Sequence, residues 1–180
     1  IETTEPLVDV VHSEPDDLFT IIYSSGTTGN PKGAMYTHQA IANYLTLFEQ
    51  DILRIRALPL YHLVSYLPLA HVYERSALEL GSIMIPSQVS FIEALDKFTD
   101  NLKSIQPDFF TAVPRIWGVF KQKIEHKLPA SRLKILSKIP LISTLIQKKV
   151  KREIGMSRCV NFFSGASQLP ESITSFFRML

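Results

Sequence analysis

The sequence "FTIIYSSGTTGNPKG" (residues 19–33) joins a short apolar run to ten small or polar residues. The apolar part, residues 19–23, predicts a buried strand, because short apolar runs bounded by turn residues are typical of strands inside a sheet. Residues 24–33 contain three glycines, four hydroxyl side chains and one lysine. A glycine-rich backbone can turn its N–H groups toward an anion, and Lys32 adds a mobile positive charge. The stretch therefore predicts a phosphate-binding loop that follows a strand.

Two well-known phosphate loops do not fit this spacing. The Walker A pattern needs serine or threonine directly after its lysine, whereas Gly33 follows Lys32. The dinucleotide pattern G-x-G-x-x-G also fails, because Gly26, Gly29 and Gly33 are three and four residues apart. The alternative to a phosphate loop is a surface turn between two strands.

Strand-like and helix-like patterns alternate along the rest of the chain. After the loop we predict strands at residues 34–37, 65–69, 82–85, 108–113 and 159–164. We predict helices at residues 38–50, 71–81, 91–105, from 114, 141–154 and from 170, with Gly81 ending the second and Ser90 and Glu93 capping the third. This alternation predicts an α/β fold, with a mostly parallel sheet flanked by helices.

The composition is that of a globular protein, with 46% hydrophobic and 20% charged residues. The formal net charge of +2 gives no reason to expect nucleic-acid binding. The single cysteine, Cys159, excludes an intrachain disulfide and is typical of a reducing compartment. We expect Cys159 to be buried in the last strand, and the protein to be cytoplasmic. The sequence leaves the oligomeric state open.

Basic residues are concentrated in one segment. Ten of the nineteen lie between Lys121 and Arg152, where Glu125 is the single acid. One interpretation is a pair of solvated helices. The other is peripheral contact of residues 121–152 with anionic headgroups at a membrane surface, since lysines interleaved with leucine and isoleucine suit such an interface.

Four stretches, in order, resemble one enzyme family. "YSSGTTGNPKGA" (residues 23–34) resembles the AMP-binding signature of the adenylate-forming superfamily, with Ser24 where many members have threonine. "YLPLAHVYERS" (66–76), "TAVPRIWGVF" (111–120) and "FFSGASQLP" (162–170) resemble long-chain fatty-acid–CoA ligases. In the last stretch Ser167 and Gln168 replace the usual alanine and proline.

The resemblance implies a two-step reaction. A fatty carboxylate attacks the α-phosphate of ATP, giving acyl-adenylate and pyrophosphate, and the thiol of coenzyme A then displaces AMP. The substrates implied are a fatty acid, ATP and coenzyme A, with Mg²⁺ as the metal. Two alternatives stay open, namely a ligase for another carboxylic acid and a non-catalytic nucleotide-binding homologue.

The same resemblance implies roles for particular residues. The catalytic candidates are Lys32, Thr27, Thr28 and His71. The nucleotide-binding candidates are Ser24, Ser25, Gly26, Thr27, Thr28, Gly29, Lys32, Gly165, Ala166 and Ser167, the last three along the adenine. The alternative for His71 is a helix-start histidine satisfied by backbone groups. Arg115 would contact a phosphate or a carboxylate, or else serve helix-start packing or an ion pair. Trp117 would be core or acyl-tunnel wall. We interpret Glu74 and Arg75 as a surface pair without a catalytic role.

Family members continue with motifs that this sequence lacks, among them the ligand of magnesium and a lysine on a C-terminal domain. The resemblance therefore implies that residues 1–180 are one fragment of a large N-terminal AMP-binding domain, inactive alone. Within it we expect an irregular lead-in at residues 1–17 and a basic helical insert at 121–157. We expect the C-terminal domain and every metal ligand to lie outside this chain.

Overall fold

The computed structural model describes residues 10–24, 29–55 and 57–180. Contacts between Cα atoms divide the chain into two compact units. Unit 1 comprises residues 1–57 and 67–84, and unit 2 comprises residues 58–66 and 85–180.

Unit 1 begins with a two-stranded antiparallel ribbon. β1 (Leu18–Ser24) pairs with β2 (Lys32–Thr37), with Ile22 opposite Ala34 and Ser24 opposite Lys32. The strand predicted at residues 19–23 is confirmed, but its burial is wrong, since Tyr23 is 67% exposed. The physical reason is that a two-stranded ribbon covers one edge of each strand and little of either face.

Helix α1 (His38–Ile55) follows the ribbon directly. The backbone N–H of Ala40 donates to Oγ1 of Thr37 at 3.2 Å, so Thr37 caps the first turn. This confirms the predicted start at residue 38. The helix continues five residues beyond the predicted end at residue 50, where the sequence offers neither glycine nor proline.

Helix α2 corrects two predictions. It consists of a π-helical part (Glu74–Leu80) that runs into an α-helical turn (Gly81–Met84). Gly81 has helical angles, φ −63° and ψ −33°, so it does not end the helix, and residues 82–84 are helix and not strand. A Cβ at Gly81 would lie 2.7 Å from Cε1 of Phe48. Glycine at position 81 allows α1 and α2 to pack closely. It is not the helix stop that the sequence pattern predicted.

Unit 2 contains two parallel strand pairs. β3 (Tyr61–Ser65) pairs with β4 (Ser87–Phe91), and β5 (Phe109–Ala112) pairs with β6 (Asn161–Ser164). The N–H of Asp108 donates to the carbonyl of His62 at 2.9 Å, which ties the start of β5 to β3. Of the three strand pairs described, two are parallel, as the alternation predicts. The strand predicted at residues 65–69 is wrong, because β3 already ends at Ser65, three residues before Pro68.

Helix α3 (Phe98–Ile105) follows a 3₁₀ turn at Leu95–Lys97. The predicted capping box is wrong, because Ser90 lies in β4 opposite Val64. The N–H of Glu93 instead donates to Oδ1 of Asn101 at 2.9 Å. The alternation of residues 87–91 is too short to distinguish a strand from the start of an amphipathic helix, which explains the error.

Four further helices complete unit 2. They are α4 (Pro114–Lys127), α5 (Ala130–Leu136), α6 (Pro140–Glu153) and α7 (Glu171–Met179). Pro114 occupies the first turn of α4, as predicted. The sequence predicted α6 and α7 but missed the seven-residue α5, which is shorter than periodicity can resolve. Among the described helices, none has both the length and the apolar character that crossing a membrane requires.

The core of unit 2 is aromatic. The Phe110 ring contacts the rings of Phe98, Trp117 and Phe120, with centroids 5.6–6.4 Å apart. Cys159 is part of this core and is 1% exposed, so its predicted burial is confirmed, although it precedes β6 and is not part of that strand. The parallel pairing of β5 with β6 places Ala112 opposite Ser164 at the carboxyl ends of the two strands.

Candidate functional site

The end of the β1–β2 ribbon carries the described part of the predicted phosphate loop. Ser24 and Lys32 lie opposite each other as the last pair of the ribbon, and both are exposed. Gly29 has φ +85°, a left-handed conformation that favours glycine, and a Cβ there would meet nothing within 4 Å. The other predicted loop residues, Ser25, Gly26, Thr27 and Thr28, lie outside the described residues. A serine and a lysine, both exposed, therefore face each other across the last pair of the ribbon.

His71 lies three residues before Glu74, the first residue of α2, also in unit 1. Its carbonyl accepts the N–H of Arg75 at 3.0 Å, and its ring Nδ1 accepts the N–H of Tyr73 at 3.2 Å. Because Nδ1 accepts, the neutral ring carries its proton on Nε2, which is then the donating nitrogen. The helix-start contacts foreseen in the alternative interpretation are present. They still leave Nε2 suited to a hydrogen bond with an anionic group.

Glu74 occupies a position that the sequence interpretation missed. It is fully buried, and its Oε1 accepts the N–H of Leu67 at 2.9 Å. The predicted surface pair of Glu74 with Arg75 is wrong, because Arg75 forms its ion pair with Glu79 at 3.1 Å. The carboxylate of Glu74 thus holds the segment that leads to His71. The sequence contains one signal of this burial. Glu74 lies three residues before the buried Ala77, a spacing that places both side chains on one face of a helix.

The carboxyl ends of β5 and β6 meet in unit 2. Ala112 lies opposite Ser164, and the carbonyl of Ala112 accepts the N–H of Gly165 at 3.3 Å and Nε1 of Trp117 at 3.1 Å. The segments that begin with Val113 and with Gly165 therefore leave the strands at the same edge. Ligands of open α/β sheets bind at such edges, outside the carboxyl ends of parallel strands.

In the loop of residues 165–167, Ala166 and Ser167 are exposed and Gly165 is partly buried. A Cβ at Gly165 would meet nothing within 4 Å. Ala166 has φ +68°, a left-handed conformation that is strained for a residue with a Cβ, and Ser167 is exposed. The backbone of this loop is accessible to a planar ligand such as an adenine ring.

A cavity of about 330 Å³ opens beside β6. Its lining is mostly aromatic and aliphatic, and it comprises Trp117, Gln147, Val150, Lys151, Ile154, Phe162, Phe163, Ser164, Leu169, Thr174, Phe177, Arg178 and Leu180. Trp117 is 4% exposed, so it belongs to the core and to the cavity wall at once. Such a lining suits a hydrocarbon chain better than a phosphate group.

Two polar groups of unit 2 are structural. Asp108, 1% exposed, accepts the side chain of Arg158 at 3.1 and 3.3 Å and the N–H of His62 at 2.8 Å. Burial raises the pKa of the Cys159 thiol to about 12, so this cysteine is no nucleophile at neutral pH. Within the described ranges, no group of three or more His, Cys, Asp and Glu side chains could hold a metal ion.

The structure brings some of the candidate residues together and not others. Unit 1 places Ser24 opposite Lys32, and it places His71 three residues before α2, where its carbonyl accepts the N–H of Arg75. Unit 2 places Gly165, Ala166 and Ser167 in one loop at the edge of the β5–β6 pair. The role of each of these residues stays a prediction.

Comparison with known proteins agrees with this architecture. A model of the family described as "AMP-binding enzyme" matches residues 2–180. The long-chain-fatty-acid–CoA ligase ACSBG2 of Gallus gallus is 30% identical over 97% of this chain and 27% of that protein. The peroxisomal long chain acyl-CoA synthetase 6 of Arabidopsis thaliana is 30% identical over 92% of this chain and 26% of that protein. The chain thus spans about a quarter of the length of these curated relatives.

A solved structure shares the fold. The A-PCP didomain of carboxylic acid reductase from Segniliparus rugosus, in complex with AMP, superposes with a TM-score of 0.70. The likeness covers 97% of this chain and 24% of that one, at 23% identity. The predicted α/β class, with parallel strand pairs flanked by helices, is therefore confirmed as the fold of adenylate-forming domains.

Proposed function

The chain belongs to the AMP-binding enzyme family, and from this premise we propose that the whole protein is a fatty-acid–CoA ligase with a preference for long chains. The carboxylate oxygen of the fatty acid attacks the α-phosphorus of ATP, and the bond to the bridging oxygen breaks, releasing pyrophosphate. The thiolate of coenzyme A then attacks the acyl carbon, and AMP leaves. The products are acyl-CoA, AMP and pyrophosphate.

One observation carries this proposal. Lys32 and Ser24 are exposed and lie opposite each other as the last pair of the β1–β2 ribbon, within the stretch that resembles the AMP-binding signature. Negative charge grows on the phosphate oxygens as pyrophosphate leaves, and fixed donors that meet this charge lower the barrier. We assign to Lys32, with Thr27 and Thr28, the binding of the β- and γ-phosphates.

The other candidates take complementary roles. We assign the adenine to the open backbone of residues 165–167, which lies at the carboxyl edge of parallel strands. Nε2 of His71 would donate to the carboxylate or to the adenylate phosphate. The carboxylic acid reductase domain that shares this fold was solved with AMP, which supports nucleotide binding.

The magnesium ion that the family implies would neutralise phosphate charge. The described residues offer no carboxylate cluster that fits it. No step is therefore assigned to a metal held by this chain, and its ligands are expected elsewhere in the whole protein.

The preference for long chains has two supports. The relatives reported above are named for long-chain acids. The apolar cavity beside β6 would accept part of a hydrocarbon chain. The fold shared with carboxylic acid reductase favours a second candidate, an adenylating domain for another carboxylic acid.

Pyrophosphate release by the full-length protein tests these alternatives. It is measured with ATP, Mg²⁺ and a panel of hexadecanoic, octanoic, benzoic and acetic acids, with and without coenzyme A. We expect the highest rate with hexadecanoic acid, and acyl-CoA when coenzyme A is present. A highest rate with benzoic or acetic acid would favour the second candidate. ATP binding without pyrophosphate release from any acid would identify a non-catalytic homologue.

A further inference from the structure

Helix α6 carries apolar side chains on two opposite faces. On one face, Ile146 and Val150 pack against the core of unit 2. On the other, Leu141 is 82% exposed and Leu145 is 67% exposed. The packing of unit 2 accounts for the first pair and not for the second.

The exposed leucines continue into a row of cations. Leu141, Leu145, Lys148 and Arg152 are spaced four, three and four residues apart, so they lie along one face of the helix. Lys148 and Arg152 are exposed like the leucines. We name these four residues the interfacial stripe. Its first half is apolar and its second half is basic.

The residues before α6 also combine exposed apolar side chains with exposed lysines. Ile135, in α5, is 67% exposed, and Ile139, in the turn between the helices, is 45% exposed. Lys134 and Lys138, each one residue before an exposed isoleucine, are also exposed. Exposed isoleucines accompanied by lysines therefore also precede the stripe in the chain.

The basic half of the stripe borders a surface depression of about 480 Å³. Its lining comprises Leu145, Lys148, Lys149, Lys151, Arg152 and Ser157. Residues 126–152 contain no acidic residue. Lys151 donates to the carbonyl of Cys159 at 3.0 Å, whereas Lys148, Lys149 and Arg152 form no ion pair with the described part of the chain. Their charge is available to an external anion.

We propose that the interfacial stripe binds the surface of a bilayer that contains anionic lipids. The leucines enter the boundary between headgroups and acyl chains, and Lys148, Lys149 and Arg152 contact headgroup phosphates. A polyanion such as RNA would use the cations but would leave the leucines in water, which is why a lipid surface fits better. This inference depends on charge and exposure alone, so it holds or fails independently of the adenylation reaction.

Sedimentation of the full-length protein with vesicles tests the proposal. Vesicles of phosphatidylcholine alone are compared with vesicles that also contain phosphatidylserine. Two double variants are used, Leu141→Gln with Leu145→Gln, and Lys148→Gln with Arg152→Gln. Leu95→Gln and Lys103→Gln are the matched controls, since both residues are exposed and lie outside the stripe. The melting temperature of every variant verifies that the fold is kept.

We expect the wild-type protein to prefer the anionic vesicles, and this preference to fall as salt is raised. Loss of two cations should weaken binding roughly thirtyfold. Loss of the two leucines should weaken it at least about tenfold. Equal binding to both vesicles, or an equal loss in the control variants, would overturn the proposal. So would binding of single-stranded RNA that needs the cations and not the leucines, without vesicle binding.

Discussion

The carboxylate of Glu74 accepts the backbone N–H of Leu67 at 2.9 Å while being fully buried. This hydrogen bond joins α2 to the segment that carries His71. Alanine at position 74 would leave the N–H without its acceptor and would open space in the interior. We expect Glu74→Ala to lower the free energy of unfolding by about 1–3 kcal/mol, measured by urea denaturation of the full-length protein.

Two variants make this prediction specific. Glu74→Gln keeps an acceptor oxygen of similar shape and should lose less stability than the alanine variant. Glu79→Ala removes an ion pair whose side chains are more than a third exposed, so its effect should stay within about 0.5 kcal/mol. If Glu74→Ala were as stable as Glu79→Ala, Glu74 would have no role in holding this segment.

Two features of the structure, a positive φ and a close backbone contact, require glycine at position 155. Its φ is +76°, and a Cβ there would lie 2.4 Å from the backbone carbonyl carbon of Leu102 and from the backbone nitrogen of Lys103. Backbone atoms inside α3 cannot move aside as a flexible side chain can. We expect Gly155→Ala to cost about 3 kcal/mol of unfolding free energy, seen as a lower melting temperature.

Gly29 allows the effect of a positive φ to be measured without the steric contact. It shares the positive φ, +85°, but a Cβ there would meet nothing within 4 Å. Gly29→Ala should therefore cost only the left-handed strain, roughly 1–2 kcal/mol. Equal losses for the two variants would mean that strain alone, and not the contact with α3, explains the glycine at position 155.

The sequence predicted correctly those features that depend on residues a few positions apart. The strand at residues 19–23, the start of α1 after Thr37 and the start of α4 at Pro114 all follow from signals within a few residues. The parallel strand pairs follow from the alternation of strands and helices. These features need no knowledge of what packs against them.

Contacts between distant residues could not be predicted in this way. Gly81 is a glycine because the ring of Phe48, thirty-three positions earlier, presses against it. The ion pair between Asp108 and Arg158 joins residues fifty positions apart. The phosphate loop with Lys32 was predicted from its own residues, and the other candidate residues were predicted from a resemblance. The structure adds the positions of Lys32, His71 and Gly165, each within its own unit.

Gly165 tests the proposed adenine contact without disturbing the fold. A Cβ there would meet nothing in the protein, so Gly165→Ala should leave the melting temperature unchanged. In the full-length protein the added methyl group should hinder a ring that stacks against the backbone. We expect at least about a tenfold higher KM for ATP. A normal KM would remove residues 165–167 from the nucleotide site.

Cys159 should make stability depend on pH in the alkaline range. Burial raises the pKa of its thiol from 9.0 to about 12, so the folded protein keeps a proton that the unfolded chain loses above pH 9. Its contribution is therefore complete below pH 9 and is lost progressively as the pH rises toward 12. We expect the wild-type protein to lose more unfolding free energy than Cys159→Ala between pH 8 and about 10.5. Identical pH profiles for the two proteins would contradict this assignment.

Lys32 carries the central prediction for catalysis. Its side chain is exposed at the first position of β2, so Lys32→Ala removes a charge without removing packing. If the ammonium group stabilises the phosphate charge that develops during adenylation, the rate of pyrophosphate release by the full-length protein should fall at least about tenfold. The melting temperature should stay unchanged.

Lys103→Ala is the matched control for Lys32, since Lys103 is an exposed lysine in a surface ion pair with Asp100. It should keep the wild-type rate and a melting temperature close to that of the wild-type protein. Arginine at position 32 should restore part of the lost rate, because the positive charge returns with a different geometry. A Lys32→Ala protein that releases pyrophosphate at the wild-type rate would exclude Lys32 from the phosphate site, even if the ligase activity itself were confirmed.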